Sequence, residues 1–205
     1  LSTEDAKLLE DLYESFKANG ATLNKDDKEK YRKLSMDLSM LTLQFDQNAL
    51  KDKNRFELLI TDENELSGLP ESARDAAAML AKSKEKNGWL FNLSAPSYIP
   101  FMRYSDKRDL REKMYREYMS VGNKGDEFDN KDIIKKIVNI RLEIAQLMGF
   151  KNYAEYALEH TMAKNSANVY KLLNQLLEAY KPIAINEYNA VEGFALGTEK
   201  ENITV

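Results

Sequence analysis

Histidine and cysteine carry much of the metal-binding and nucleophilic chemistry of proteins, and this sequence has almost none of either. His160 is the only histidine among 205 residues, and there is no cysteine. A zinc motif of the form His-Glu-x-x-His needs two histidines on one helix, so the sequence excludes it within this chain. A serine partnered with His160 is the remaining nucleophilic dyad, and no Gly-x-Ser-x-Gly motif supports it. On a predicted helical face with Tyr153, Tyr156 and Ala157, His160 is interpreted as a packed or hydrogen-bonded residue.

Carboxylates are numerous, but their positions favour structural roles. The pairs Asp26-Asp27 and Asp62-Glu63 fall at predicted helix starts, where negative charge complements the helix dipole. Capping explains both pairs more simply than acid–base catalysis does. Gly122 and Gly125 are too few and wrongly flanked for a phosphate-binding loop, so segment 122–126 is predicted to be a flexible turn. We therefore assign no catalytic, cofactor-binding or metal-binding residue in this chain.

Two groups of side chains near residue 100 have the chemistry to contact a peptide. Aromatic rings could form the floor of a groove, although core or rim packing is favoured, because a tyrosine can bury its ring and keep its hydroxyl in water. Arginines nearby could meet an anionic group, although solvated helix faces explain most such clusters. The aromatic group is Tyr98, Phe101, Tyr104, Tyr115 and Tyr118, and the arginine group is Arg103, Arg108 and Arg111.

Composition predicts a soluble globular protein, with 43% hydrophobic and 31% charged residues. Thirty basic and thirty-four acidic side chains are interspersed and give a net charge of -4, so we expect no nucleic-acid surface. No apolar run approaches the roughly 18 to 20 residues that cross a bilayer, so we expect no membrane segment. The chain begins at Leu1 and shows no signal-peptide pattern, and we expect it to be a piece of a longer polypeptide.

Residues 129–162 have the clearest helical pattern. Asp129 is predicted as an N-cap, Gly149 as the end of the helix, and Asn152 with Glu155 as a capping box that opens a second helix. The pair is an αα-hairpin. Two apolar lines on its first helix predict burial on more than one side: Ile133, Ile137, Ile140, Ile144 and Leu147 form one, and Ile134, Val138, Leu142 and Ala145 form the other.

The rest of the chain is also predicted to be mainly helical. Helices are expected from Ser2, over 25–54, over 71–86, from 105–108 onward and from Ser166, with a loop at 96–100. Segments 56–60 and 89–93 break the helical period and predict a two-stranded β ribbon. The predicted fold class is therefore mainly α, with long antiparallel helices and a small ribbon, in a single helical domain over residues 1–205. Residues 193–205 are expected to form an extended tail that leads to the rest of the longer polypeptide.

A series of short segments, taken in order and spacing, resembles the helical N-terminal part of the thimet oligopeptidase family of zinc metallopeptidases. The similarity is greatest to its bacterial peptidyl-dipeptidases, the Dcp type, and it covers essentially the whole chain. The segments that carry it are Leu69-Pro70-Glu71-Ser72, Gly88-Trp89-Leu90, Pro96-Ser97-Tyr98, Pro100-Phe101-Met102, Arg108-Asp109-Leu110-Arg111, 147–156 and Met162-Ala163.

The resemblance implies a parent enzyme that hydrolyses short unstructured peptides and releases dipeptides from a free C-terminus. In that family the zinc motif lies much later in the polypeptide, so no catalytic or metal-binding residue carries over to this chain. The resemblance implies a noncatalytic helical part that forms much of the upper half of a substrate channel, with zinc in the parent only. This chain alone is predicted to be inactive.

Expected partners are short peptides, the missing catalytic half of the same polypeptide and, through surfaces left bare, a second copy of the chain. The expected compartment is the cytoplasm, with the periplasm as the alternative. Two other functions stay open: part of an endo-acting oligopeptidase, and a free-standing helical module that binds partner helices or peptides without turnover.

Overall fold

A computed structural model describes residues 2–198. It is 72% helical, with eight α-helices and one small antiparallel sheet in the described part, which confirms the predicted fold class. The chain divides into two compact units. Unit 1 combines Leu1–Lys28 with Leu142–Val205, and unit 2 is Glu29–Arg141. The predicted single domain over residues 1–205 stays a prediction.

Both strands lie in unit 2, and helices account for most of the rest of the described chain. The helices are α1 (Thr3–Ala18), α2 (Lys25–Arg55), α3 (Glu71–Ser83), α4 (Ala95–Tyr104), α5 (Arg108–Met119), α6 (Lys131–Leu147), α7 (Tyr153–Leu158) and α8 (Ser166–Thr198). The strands are β1 (Leu58–Ile60) and β2 (Trp89–Phe91), and a short 3-10 helix spans Glu63–Leu66. None of these helices is long and apolar enough over the described residues to cross a bilayer.

The β ribbon and α3, α4 and α5 enclose the hydrophobic core of unit 2. The strands pair antiparallel, with Leu58 opposite Phe91 and Ile60 opposite Trp89. The core residues are Leu58, Ile60, Leu66, Leu69, Ala77, Phe91, Leu93, Phe101 and Met114. β2 ends earlier than predicted because the Asn92 N–H donates to Ser97 Oγ at 3.0 Å, so the backbone turns away after Phe91.

Residues 96–100 form the first turns of α4, so the predicted loop was wrong. Pro96 lies in the first turn, where no N–H is needed for the helical ladder and its fixed φ favours the helix. Pro100 lies inside the helix, where it removes one backbone hydrogen bond. Phe101, which follows it, is fully buried in the core of unit 2. Burial of this ring therefore outweighs the local cost of the proline.

The turn between α6 and α7 follows the sequence prediction closely. Gly149 has φ +87, and its N–H donates to the Gln146 carbonyl at 3.0 Å. The Phe150 N–H donates to the Ala145 carbonyl at 2.8 Å, which completes a Schellman motif. Asn152 Oδ1 accepts from the Glu155 N–H at 3.0 Å and caps α7 as predicted. The Glu155 carboxylate accepts from the Ser166 hydroxyl, which joins α7 to the start of α8.

The start of α6 differs from the prediction. Asp129 accepts from the backbone N–H groups of Gly125, at 2.6 Å, and Lys131, at 2.9 Å, so it shapes the preceding loop. Asn130 is the residue that immediately precedes the helix, and the Ile134 N–H donates to its carbonyl at 2.9 Å. The predicted N-cap, Asp129, therefore lies one position before the residue that precedes α6.

Three of the four residues in the second apolar line of α6 are exposed, which contradicts the expected burial of that line, and only Ala145 at its C-terminal end is buried. Ile134, Val138 and Leu142 are 47%, 57% and 39% exposed, whereas Ile144 is 4% exposed. These three residues form an apolar face as predicted, but no other described element covers that face.

The C-terminal helix extends further than predicted. α8 continues through Thr198, so residues 193–198 are helical rather than extended. Gly193 lies inside this helix and does not end it. The remaining part of the predicted tail, residues 199–205, lies outside the described residues.

Candidate functional site

The aromatic group singled out in the sequence separates into two environments. Phe101 lies in the core, with its ring edge-to-face against Phe91 at 4.8 Å between centroids. Tyr98 packs against the same core, and its other face stacks on Tyr118 at 4.3 Å with an interplanar angle of 16°. Packing therefore accounts for Phe101 and Tyr98, as the sequence favoured.

Tyr115 and Tyr118 of α5 are exposed and, together with the half-buried Tyr98 of α4, form a tyrosine patch next to this core. Burial raises the pKa of the Tyr98 phenol, and the neighbouring Tyr118 and Tyr115 add to the rise, so this hydroxyl stays protonated and can donate a hydrogen bond. Lys53 Nζ lies 5.8 Å from the centroid of the Tyr118 ring, which is cation–π range. The patch can stack against rings or cations, but it contains no group suited to acid–base catalysis near neutral pH.

The three arginines each have contacts within the protein. Arg111 donates to the Ser105 carbonyl, and the Arg103 guanidinium lies 5.4 Å from the Tyr104 ring centroid. Arg108 also has an interaction partner. These contacts orient the arginines along α4 and α5, which agrees with the interpretation as helix-face residues.

His160 is not packed. Its side chain is 46% exposed, and its Nε2 atom lies 3.4 Å from Glu159 Oε2, so the contact is a surface pairing with its neighbour in sequence. Across residues 2–198, no three histidine, cysteine, aspartate or glutamate side chains converge to hold a metal ion. The donor set of the described residues therefore does not fit zinc.

Unit 2 contains a buried polar network centred on Asp52 that was not predicted from the sequence. The Asp52 side chain is fully buried in unit 2, and its Oδ2 accepts from the Gly122 N–H at 2.7 Å. Its Oδ1 lies 3.1 Å from Lys124 Nζ and 2.7 Å from Arg55 Nε. One carboxylate of α2 thus binds a backbone N–H and two cations.

The network continues along α2 to the start of α6. Asn130 is almost fully buried, and its Nδ2 donates to the Phe45 carbonyl at 3.0 Å. Asn48 Nδ2 donates to Asn130 Oδ1 at 3.1 Å. The Asn130 N–H donates to the Gly122 carbonyl at 2.8 Å, which closes the base of the loop 120–130. This loop, predicted as a flexible turn, is therefore tied to α2 by buried hydrogen bonds.

Lys124 completes the network with a second carboxylate. Partial burial acts to lower the pKa of Lys124, but hydrogen bonds from its ammonium group to Glu117, at 2.7 Å, and to Asp52 outweigh this effect and raise the pKa. Lys124 therefore stays charged and joins α5 to α2. All of these groups are satisfied within unit 2, so the network is structural rather than reactive.

Large apolar faces are the other main feature of the described surface. On α1, Leu8, Leu9, Leu12, Tyr13 and Phe16 are exposed, and no residue of this helix is buried. On α2, the exposed line is Met36, Met40, Leu43 and Leu50. On α8, apolar side chains are exposed along most of its length, from Tyr170 to Phe194. These faces resemble surfaces that another protein element covers.

Fold and site together define a mainly helical framework with one well-packed unit and several bare apolar helix faces. Comparisons with known proteins identify its family. The sequence model of peptidase family M3 matches residues 101–203, just over half of the chain.

Oligopeptidase A of Salmonella typhimurium is 37% identical over 199 residues, which are 95% of this chain and 29% of that protein. Oligopeptidase A of Haemophilus influenzae is 37% identical over 204 residues, covering 98% of this chain and 30% of that protein. Dipeptidyl carboxypeptidase of Escherichia coli is 29% identical over 193 residues, which are 94% of this chain and 28% of that protein.

The chain belongs to peptidase family M3, which confirms the resemblance seen in the sequence. It spans about three tenths of the length of these relatives.

Proposed function

We propose that this chain is a noncatalytic helical part of a peptidase that hydrolyses short peptides, and that it forms a wall of the substrate channel. The observation that carries the proposal is the coincidence of M3 membership with the lack, over the described residues, of any cluster of three histidine, cysteine, aspartate or glutamate side chains. The zinc ion and the group that activates water would then belong to other parts of the parent polypeptide.

A wall that selects peptides by size must hold its shape, and unit 2 has the means to do so. Its core is built from fully buried side chains such as Phe91, Phe101 and Met114. The Asp52 network fixes the loop 120–130 on α2 without leaving a described buried side-chain donor or acceptor unsatisfied. Rigid packing of this kind supports a steric role, in which folded proteins are excluded and extended peptides pass.

The sequence identities to the two kinds of relative also favour one type of cleavage over the other. The relatives named oligopeptidase A are 37% identical to this chain, whereas the E. coli dipeptidyl carboxypeptidase is 29% identical. This difference supports an oligopeptidase as the parent enzyme, in place of the peptidyl-dipeptidase that was expected from the sequence. The residues that separate the two activities would lie with the catalytic part.

The proposal is tested by comparing the 205-residue chain with the complete polypeptide, both supplied with zinc, on an internally quenched peptide of about ten residues. We expect hydrolysis by the complete polypeptide and none by the shorter chain above a mock-purified control. Turnover by the 205-residue chain that survives repurification would overturn the noncatalytic assignment. Blocking the peptide's C-terminus with an amide separates the two activities, because release of C-terminal dipeptides requires a free carboxylate.

A further inference from the structure

The strongest unexplained feature of the structure is the apolar surface of α8, which lies in unit 1. On a helix with 3.6 residues per turn, Leu172, Leu173, Leu176, Tyr180 and Ile183 share one face, which we call the leucine face. Tyr170, Leu177 and Ala184 lie beside it and form the adjoining face. All eight side chains are exposed.

The two faces together cover roughly half of the helix circumference, whereas a surface helix of a globular protein needs an apolar stripe of only about 100°. The opposite side carries a polar line of Lys171, Asn174, Glu178, Lys181, Asn189 and Glu192. A helix with this distribution is suited to packing against two neighbours at once while its polar line remains in water.

The described part of unit 1 does not supply those neighbours. At the first turn of α8 the Ser166 hydroxyl donates to Glu155 of α7, and the Asn168 Nδ2 donates at 2.8 Å to the carbonyl of Ala163 in the segment that joins the two helices. From Leu172 onward the leucine face is exposed. α1 has a bare apolar face of its own, so α1 does not provide the missing cover.

We propose that α8 is a docking helix for two further amphipathic α-helices of the same polypeptide, one on the leucine face and one on the adjoining face. This inference rests on the proposed function, in which the chain is part of a longer peptidase. The relatives support this occupant, because about seven tenths of their length lies outside the matched region. Helices with apolar stripes are the partners that an apolar helix face of this width accommodates.

The absence of cysteine from the chain allows a direct test by thiol labelling. Single variants Leu176→Cys on the leucine face and Leu177→Cys on the adjoining face would be prepared in the complete polypeptide and in the 205-residue chain. Glu178→Cys on the polar line is the matched control. Labelling rates with a small maleimide, measured by mass spectrometry at low protein concentration, report how often each position is open to solvent.

We expect Leu176→Cys and Leu177→Cys to label at least about tenfold more slowly in the complete polypeptide than in the 205-residue chain, with Glu178→Cys equally fast in both. Equal rates for the two leucine positions in both proteins would overturn the proposal. Protection that appears only in the 205-residue chain as its concentration rises would also overturn it, because the occupant would then be a second copy.

Labelling is read independently of peptide hydrolysis, so the two proposals can fail separately. A complete polypeptide that cleaves peptides but leaves both leucine positions reactive contradicts the docking of α8 and leaves the proposed function intact. A complete polypeptide that protects them but shows no hydrolysis with zinc contradicts the proposed function alone.

Discussion

Replacing Asp52 by alanine should destabilise unit 2 strongly, because one buried carboxylate serves three donors. The Gly122 N–H loses its acceptor at 2.7 Å, and a buried N–H left without a partner costs about 1–3 kcal/mol. Lys124 and Arg55 also lose a buried partner, and breaking a buried ion pair costs about 3–5 kcal/mol when nothing replaces it. Since each cation keeps a second carboxylate, we expect a total near the lower limit, about 3 kcal/mol.

The free energy of unfolding is measured by urea titration, with the single tryptophan, Trp89, reporting on unit 2 through its fluorescence. A loss of about 3 kcal/mol corresponds to a fall in Tm of about 9 °C for a chain of this size. Asp46→Ala is the matched control, since Asp46 is an exposed aspartate on the same helix and should change stability by less than about 0.5 kcal/mol. If Asp52→Ala and Asp46→Ala unfold at indistinguishable urea concentrations, the network does not hold the loop 120–130 in place.

Two further predictions concern a pair of glycines and one carboxylate. Gly68→Ala should destabilise the protein by at least about 2 kcal/mol in a urea titration, because a Cβ there would lie 2.1 Å from the Tyr104 carbonyl oxygen. Gly193→Ala, in open space on a helix, should stabilise it by about 0.5–1 kcal/mol. Because Gly193 lies in unit 1 and Trp89 in unit 2, unfolding is followed here by far-ultraviolet circular dichroism, which reports on the helices of both units, and equal effects of the two substitutions would contradict this reasoning. Hydrogen bonds from the Lys131 side chain and backbone lower the pKa of Asp129 to about 2, below its value of about 3.9 in an unfolded chain. The stabilisation by this carboxylate should be complete above about pH 4 and lost as the pH falls through about 2, so the difference in urea midpoint between the protein and Asp129→Asn should shrink over that range and should not stay constant.

Local rules of helix capping predicted those parts of the fold in which neighbouring residues in sequence decide the structure. The glycine at 149 and the amide at 152 act within one turn of the chain, so their spacing alone identified the end of α6 and the start of α7. Ser2 and Asp5 form a capping box at the start of α1 for the same reason. These predictions were confirmed because the hydrogen bonds concerned span no more than five residues.

Long-range polar contacts could not be predicted in this way. Asp52 and Gly122 are 70 positions apart, and Asn48 and Asn130 are 82 positions apart, so no local pattern connects them. One weak signal was present: Asn48 and Asp52 are four positions apart and therefore share a face of α2, and a polar pair on an otherwise apolar side of a helix can indicate a buried network. The turn predicted over 122–126 is present, with Gly122 and Gly125 at positive φ, but the buried contacts that tie it to α2 could not be predicted from its two glycines.

The apolar faces of α6 and α8 are a different case. The sequence predicted both apolar faces, but the side chains that form them are exposed. Spacing of apolar residues reflects burial against whatever partners a helix has, and it does not distinguish partners near in sequence from partners far away. Where buried and exposed apolar lines run along the same helix, as on α6 with Ile144 and Val138, the described elements account for one line only. We infer that the exposed residues in the second line of α6, like the leucine face of α8, would pack against further helices of the longer polypeptide.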